Sequence, residues 1–419
     1  MEKQHQIFLD FLRFCIGSDS EIPSSLKEAD WKELYRIAQK QCLVGILFDG
    51  IQKLPPTEVG MSKDLLLQWM MQCQMLEKAN VRLNDAVIRV SEWFRKKGFR
   101  TCILKGQGNA LMYPNPYSRT PGDIDIWVEG GDKRVISFVR SISPHEKACY
   151  HHIEFPSYKG VEVEVHYRPS FLLCFWHNRR LQKYYERVKE EQFSHRVMLG
   201  EQGEIAIPTA EFNLIFQLTH IYAHLMNEGI GLRQLLDYYY VLCDFYKVYQ
   251  KSSKITPSLF TLKEGSTSHP DPLSSGAREK TALRCSEPLR YKDGGPSKVS
   301  PDCAGWDRLG VVQKELRELG LWKFAGAIMY IMQEVFGMPA SRLIVPPNEK
   351  YGRFVLNEVL EAGNFGKHDE RNRFGKSKLG HNLQRLYRDI RLVRYFPAEA
   401  MSEPFFRVWH FFWRFKHRR

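Results

Sequence analysis

The stretch Gly122-Asp123-Ile124-Asp125-Ile126-Trp127-Val128 restricts what this chain can become more than any other. Polar and apolar residues alternate along it, which is the period of a β-strand with one buried face. The same alternation sets Asp123 and Asp125, two apart, on one face of that strand. Carboxylates that close raise each other's pKa unless something offsets them. A divalent cation is the usual remedy, and paired oxygens on a rigid strand suit Mg²⁺. The competing reading is a solvated strand edge whose acids keep it soluble.

The residues on either side bear on that choice. Residues 101–104 form a short buried-type strand that runs into Lys105-Gly106, and residues 106–112 open a helix. A strand passing through glycine into a helix leaves backbone N–H groups free, a natural phosphate seat, and Lys105 adds a charge beside it. Residues 132–139 fit a helix with Asp132 as its N-cap. Two extended runs, 149–156 and 161–168, flank Ser157-Tyr158-Lys159-Gly160 and read as a hairpin. Glu162, Glu164, His166 and Arg168 share one face of its second arm, with Val161, Val163, Val165 and Tyr167 on the other. If that arm neighbours Asp123 and Asp125, Glu164 completes a carboxylate triad.

Helical periods fill most of the rest. Trp31, Leu34, Tyr35, Ala38, Leu43 and Leu47 follow one stripe, broken near Cys42, and a second stripe runs from Leu65 to Trp93. Gly98 reads as the residue just past a helix end. Residues 171–250 are read as helical throughout. Within them His220 and His224 lie at i and i+4, on one face, as structural or site-lining histidines or as half of a metal site. Arg233 and Asp237, also four apart, can pair with each other. Residues 251–306 are rich in Ser, Pro, Gly, Lys and Thr without a period, the signature of a disordered insertion. Helices resume near residue 310, and Gly363-Asn364-Phe365-Gly366 is a turn. The expected organisation is helical 1–98, a core sheet at 99–170, helical 171–250, the insertion 251–306, and a helical, basic 307–419.

Of the net charge of +13, nine units fall after residue 366, where 14 Lys/Arg face 5 Asp/Glu. Arg385, Arg388, Arg391 and Arg394 recur every third residue opposite Leu386, Ile390 and Val393, and the tail interleaves aromatics with Arg and Lys. Such an end can bind a polyanion or a membrane surface, or dock its aromatics and leave a wet basic face. The nine cysteines are dispersed without a C-x-x-C pair, which fits reduced thiols. No signal peptide and no apolar run of membrane-spanning length stand out, so the reading is cytoplasmic with no transmembrane segment.

Leu104-Lys105-Gly106, Tyr113-Pro114, Ser118-Arg119, Gly122-Asp123-Ile124-Asp125 and Glu164-Val165-His166 together form a pattern. So do Gly229 to Asp237 and Glu361 to Gly366. The pattern resembles the bacterial nucleotidyltransferase-like families of the polymerase-β-type superfamily, in particular a broad uncharacterised group. The resemblance implies an α+β protein, with a small mixed β-sheet core flanked by N- and C-terminal helical regions. It implies that Asp123 and Asp125 bind two Mg²⁺ ions, with Glu164 as third ligand and base toward the acceptor. Gly106, Lys105 and Arg119 would meet the phosphates of an NTP donor, ATP among the candidates. A nucleoside monophosphate would pass to a hydroxyl acceptor, whether small molecule, protein or RNA. Lys105-Gly106 stands where the superfamily usually has Gly-Ser, and the gap to Asp123 is longer than usual. His166, His220, His224, Arg233 and Asp237 are further residues expected near the site. The rival function is a non-catalytic module that binds RNA or protein on the same fold.

Overall fold

The alternating stretch becomes one of the two inner strands of a mixed sheet in the computed structural model, which describes residues 3–201, 203–254, 307–367, 369, 371 and 378–417. Its strands are β1 (Thr101–Ile103), β2 (Ile124–Val128), β3 (His152–Tyr158) and β4 (Val161–His166), in the order β1-β2-β4-β3. β1 is antiparallel to β2, β2 is parallel to β4, and β3 and β4 form the expected hairpin. The turn of that hairpin has positive φ at both Lys159 and Gly160, the twist-matched geometry of a two-residue connection. All five residues of β2 are buried, so the expectation of one buried face falls short. Ile124, Ile126 and Val128 join one core. Trp127, on the other face with Asp125, stacks on Phe212 and meets Phe193 at a tilt.

The N-terminal helices are α1 (Lys3–Ile16), α2 (Trp31–Lys40), α3 (Val44–Ile51) and the long α4 (Lys63–Lys96). Asp30 caps α2 by accepting from the backbone of Lys32 and Glu33, and Ser62 caps α4 by accepting from Leu65, each satisfying an otherwise orphaned donor. The break near Cys42 is a left-handed residue, φ 56°. Gly98 follows α4 with φ 80°, as a terminating glycine should. After β1 come a single turn, α5 (Gln107–Ala110), and then α6 (Gly131–Ile142), capped by Gly130 rather than Asp132. Asp132 sits inside the first turn of α6, where its carboxylate is taken by Arg168 at 2.8 Å.

The region read as uninterrupted helix from 171 to 250 is corrected by the structure. α7 (Phe175–Ser194) is followed by a two-stranded hairpin, β5 (Arg196–Leu199) and β6 (Gly203–Ala206). β5 offers only Val197 and Leu199 at a period of two, and in β6 the buried Ile205 and Ala206 are adjacent, so neither strand carries a pattern long enough to separate from helix. α8 (Ala210–Asn227) and α9 (Leu232–Lys254) then lie over the sheet face that carries Asp125. The insertion expected at 251–306 lies, from residue 255, outside the described residues. α10 (Asp307–Glu318), α11 (Trp322–Glu334), α12 (Glu349–Ala362), α13 (Lys378–Val393) and α14 (Pro397–Lys416) complete the chain. No helix among the described residues is long and apolar enough to cross a membrane, and none of the described cysteines forms a disulfide.

α13 reverses its sequence reading. Leu386 and Ile390 are exposed while Arg388, Asp389 and Leu392 are buried. The buried guanidinium of Arg388 is satisfied by donating to the carbonyls of Asn227 and Glu228 at the end of α8, the pairing that makes such burial tolerable. Arg391 pairs with Glu358, and Arg407 with Glu403, so part of the C-terminal charge is consumed internally. The tail docks in part: Phe406 is buried, and with Trp409 and Trp413 it packs edge-on around Tyr150, whereas Phe405, Phe412 and Phe415 stay exposed.

Asp389 gives this region a pH dependence. Burial, then the neighbouring Glu403, pushes its carboxyl up to about 7. Between the ordinary carboxylate value and about 7 the folded chain holds a proton that the unfolded chain releases, so this contribution to stability is lost as pH rises. Asp389→Asn removes the contribution's pH dependence. The stability of the variant relative to wild type is therefore expected to improve by about 2–3 kcal/mol from pH 5 to pH 8. Guanidinium denaturation at the two pH values measures it, and a constant difference would contradict the assignment.

Candidate active site

The parallel pairing of β2 with β4 sets Asp125 directly beside Glu164. Asp123 lies in the loop just before β2, and each of the three residues offers a carboxylate oxygen within 4.8 Å of the others. Lys105 enters from the end of β1, where the Leu104 amide donates to the Asp125 carbonyl at 3.0 Å. Its ammonium lies 3.0 Å from Asp125 Oδ2, and His166 Nε2 donates to Asp125 Oδ1 at 3.0 Å. Gly106 follows with φ 58°, a conformation that glycine adopts without strain. The helix after it is one turn, not the longer one expected over 106–112, and so adds little dipole.

The electrostatics follow from this packing. Burial alone would raise the Asp125 carboxyl, but the Lys105 ammonium and His166 hold it well below the usual range. Asp125 in turn raises Asp123. Glu164 is lowered, with the His166 hydrogen bond overcoming burial. For His166, burial is outweighed by hydrogen bonds to Asp125 and Glu164, which push it up to about 9. Three acids are thus balanced by two cations of the chain itself, the condition under which buried charge is tolerated.

The opposite wall comes from α8 and α9. Lys105 Nζ lies 3.1 Å from His220 Nε2, which lies 3.0 Å from His224 Nε2, and His224 contacts Glu228 at 3.3 Å. Burial, then Lys105, keeps His220 well below the ordinary histidine value. Asp237 pairs not with Arg233, as its spacing suggested, but with Arg119, in a two-pronged bond of 2.8 Å on each side. Tyr113 also donates to Asp237, at 2.6 Å. Arg119 is therefore fixed by a carboxylate. Arg233 forms no ion pair among the described residues; its Nε has no hydrogen-bond partner, and the guanidinium lies over the Phe365 ring at 5.8 Å. Lys105, Gly106, Asp123, Asp125, Arg233 and Phe365 all line a cavity of about 30 Å³.

Two glycine motifs close this cavity. A Cβ on Gly231 would sit 2.8 Å from Asn364 Cα, and one on Gly366 would collide with the Glu228 carbonyl. The backbone before α9 and the 363–366 turn thus press together, and that contact holds Phe365 over the pocket. Gly366→Ala is expected to cost roughly 1–3 kcal/mol, as overpacking does, read by urea denaturation; a change under about 0.5 kcal/mol would remove this contact from the account. A larger concavity of about 1030 Å³ lies between α1, α2, α11 and α12. Its arginines are engaged: Arg13 by Asp10, Arg36 by Glu33, Arg353 by Glu349 and Arg371 by Glu358.

A family model described as uncharacterised nucleotidyltransferase matches residues 27–249, more than half of the chain. The chain belongs to that family. No curated protein and no solved structure matches it. The nucleotidyltransferase match spans the carboxylates, Lys105, the Arg119–Asp237 pair and the histidines of α8, but ends before the turn that carries Phe365.

Of the residues expected at the site, the fold brings Asp123, Asp125, Glu164, Lys105, Gly106, His166, His220 and Arg233 together, and Arg119 and Asp237 line the same cavity. His224 stands one layer back, behind His220. His151 and His152 were not anticipated, yet their rings lie 5.4 and 5.2 Å from that of His166. Counting back from the Lys159-Gly160 turn would set His152 opposite Tyr167; a register shift between Phe155 and Tyr158 brings it opposite His166 instead, so the period alone could not have found it.

Proposed function

We propose that the chain transfers a nucleoside monophosphate from an NTP, ATP among the candidates, to a hydroxyl acceptor, in a Mg²⁺-dependent reaction that releases pyrophosphate. The observation that carries this is the convergence of Asp123, Asp125 and Glu164 within 4.8 Å, inside a nucleotidyltransferase family match. The donor set fits the metal: three carboxylates, all oxygen, held on or beside adjacent strands, suit a hard cation. Bound there, Mg²⁺ would supply Lewis-acid neutralisation of phosphate charge.

The chain's own groups have separable tasks. Asp123, Asp125 and Glu164 hold the ions. Lys105 and Arg233, which line the pocket together with the Asp237-bound Arg119, would take the charge of the triphosphate. Arg119 is given a different task from the one first expected: it fixes Asp237 and Tyr113, and through them the wall of the pocket. Glu164, with its side chain 32% exposed and its carboxyl held below the usual carboxylate pKa, stays ionised at neutral pH. It can accept the proton of an acceptor hydroxyl at its carboxylate oxygen. A cavity of about 30 Å³ admits little more than a water, so nucleotide entry requires the Phe365 turn to swing outward.

A thermal-shift series tests the reading, with ATP, GTP, CTP and UTP, each with and without Mg²⁺. The expected result is a Mg²⁺-dependent stabilisation by at least one nucleotide that disappears in the Asp123→Ala/Asp125→Ala double variant. No shift with any nucleotide, or equal shifts in wild type and variant, would contradict it.

A further inference from the structure

The sheet presents a second donor set beside the carboxylates, and this one contains nitrogen. His152 on β3 is the register partner of His166 on β4, and Asp125 on β2 is the partner of Glu164. Glu164 and His166 are two apart on β4, so all four side chains stand on one face of the sheet. His152 Nδ1 lies 3.3 Å from Glu164 Oε2, and His166 Nε2 lies 3.4 Å from that same oxygen. His166 Nε2 is also 3.0 Å from Asp125 Oδ1. Ligand atoms each about 2.1 Å from a common metal stand about 3.0 Å apart in octahedral geometry and about 3.4 Å apart in tetrahedral geometry. All three spacings fall in that interval.

We propose that His152, His166 and Glu164, with Asp125 alongside, bind a first-row transition-metal dication of the zinc type. The site is distinct from the all-oxygen set of Asp123, Asp125 and Glu164, and meets it at the two shared carboxylates. The donor chemistry sets the preference. Imidazole nitrogen favours zinc and its neighbours in the first row, whereas Mg²⁺ selects oxygen and keeps its water. The ligand His166 is also held from behind, its second ring nitrogen, Nδ1, lying 3.4 Å from the Arg168 carbonyl oxygen. Outer partners of this kind orient ligating histidines. The site stands on coordination geometry and does not depend on nucleotide transfer.

The test titrates metal-stripped full-length protein with Zn²⁺ and with Co²⁺ in the presence of millimolar Mg²⁺. One equivalent of Zn²⁺ is expected to bind and to resist displacement by Mg²⁺. Bound Co²⁺ should show visible bands of a nitrogen–oxygen site without thiolate charge transfer. His152→Ala and His166→Gln should each weaken Zn²⁺ binding by about 100-fold or more, whereas Asp123→Ala should leave it within a few-fold. Absence of binding in the wild type would overturn the proposal, as would binding indifferent to both histidines. A strong thiolate band would also overturn it, by moving the ion to Cys149, His151 and His152. The cobalt spectrum needs no variant, so a misfolded mutant cannot obscure the answer. Nucleotide transfer assayed in Mg²⁺ alone separates failure of this site from failure of the nucleotidyltransferase reading.

Discussion

Arg119→Ala is expected to destabilise the fold by about 3–5 kcal/mol, the cost of breaking a buried ion pair from one side. The side chains of Arg119 and Asp237 are 3% and 6% exposed, joined by two bonds of 2.8 Å. Burial would raise the Asp237 carboxyl, yet the guanidinium holds it below its usual range. Removing the arginine leaves that carboxylate in the interior with only the Tyr113 hydroxyl bonded to it. Arg119→Lys should recover a minor part, because an ammonium cannot reproduce the planar fork. The double variant Arg119→Met/Asp237→Leu should recover most of the loss, since it removes both charges. Guanidinium denaturation of the three variants decides the matter. A loss below about 1 kcal/mol for Arg119→Ala would place the pair among solvated surface bridges and undo its structural role.

Asp125→Asn should lower nucleotide transfer by at least about 10³-fold, roughly 4 kcal/mol of barrier. The amide keeps the shape of the side chain and still accepts a hydrogen bond from His166, but it removes the charge at the centre of the cluster. Asp125 is the residue on which the arrangement converges, touched by Lys105 and His166 at 3.0 Å each and paired in register with Glu164. Glu162→Gln, an exposed acid on the neighbouring β4, is the control and should transfer nucleotide at the wild-type rate. Circular dichroism is the check that both variants fold. Transfer by Asp125→Asn within tenfold of wild type would remove Asp125 from the reaction.

Much of the site was legible because its parts obey short-range rules. The period of two in residues 122–128 and 161–168 announces strands, and Lys159-Gly160 announces the turn that pairs β4 with β3. The α+β class follows from helical stripes on either side of those strands. What was hidden depends on contacts between distant residues. Arg119 meets Asp237 across 118 positions, whereas Arg233, only four away, looked the better partner. His152 occupies a strand whose register shifts between Phe155 and Tyr158, and that irregularity obscured the count back from the turn. The two glycine motifs read as unrelated turns until Gly231 is seen against Asn364 and Gly366 against Glu228. α13 misled for another reason. Charge was taken to mark the solvent side, but Arg388 finds backbone carbonyls inside, and Ile390 is left 63% exposed.

The central claim is that this carboxylate cluster moves a nucleotidyl group. It is tested most directly by incubating the protein with Mg²⁺, a cell extract as acceptor source, and nucleotides labelled at either the α- or the γ-phosphate. The account predicts that α-label becomes attached to an acceptor while γ-label leaves as pyrophosphate, and that Asp125→Asn does neither. Transfer of γ-label to the acceptor, or equal labelling by wild type and Asp125→Asn, would contradict it.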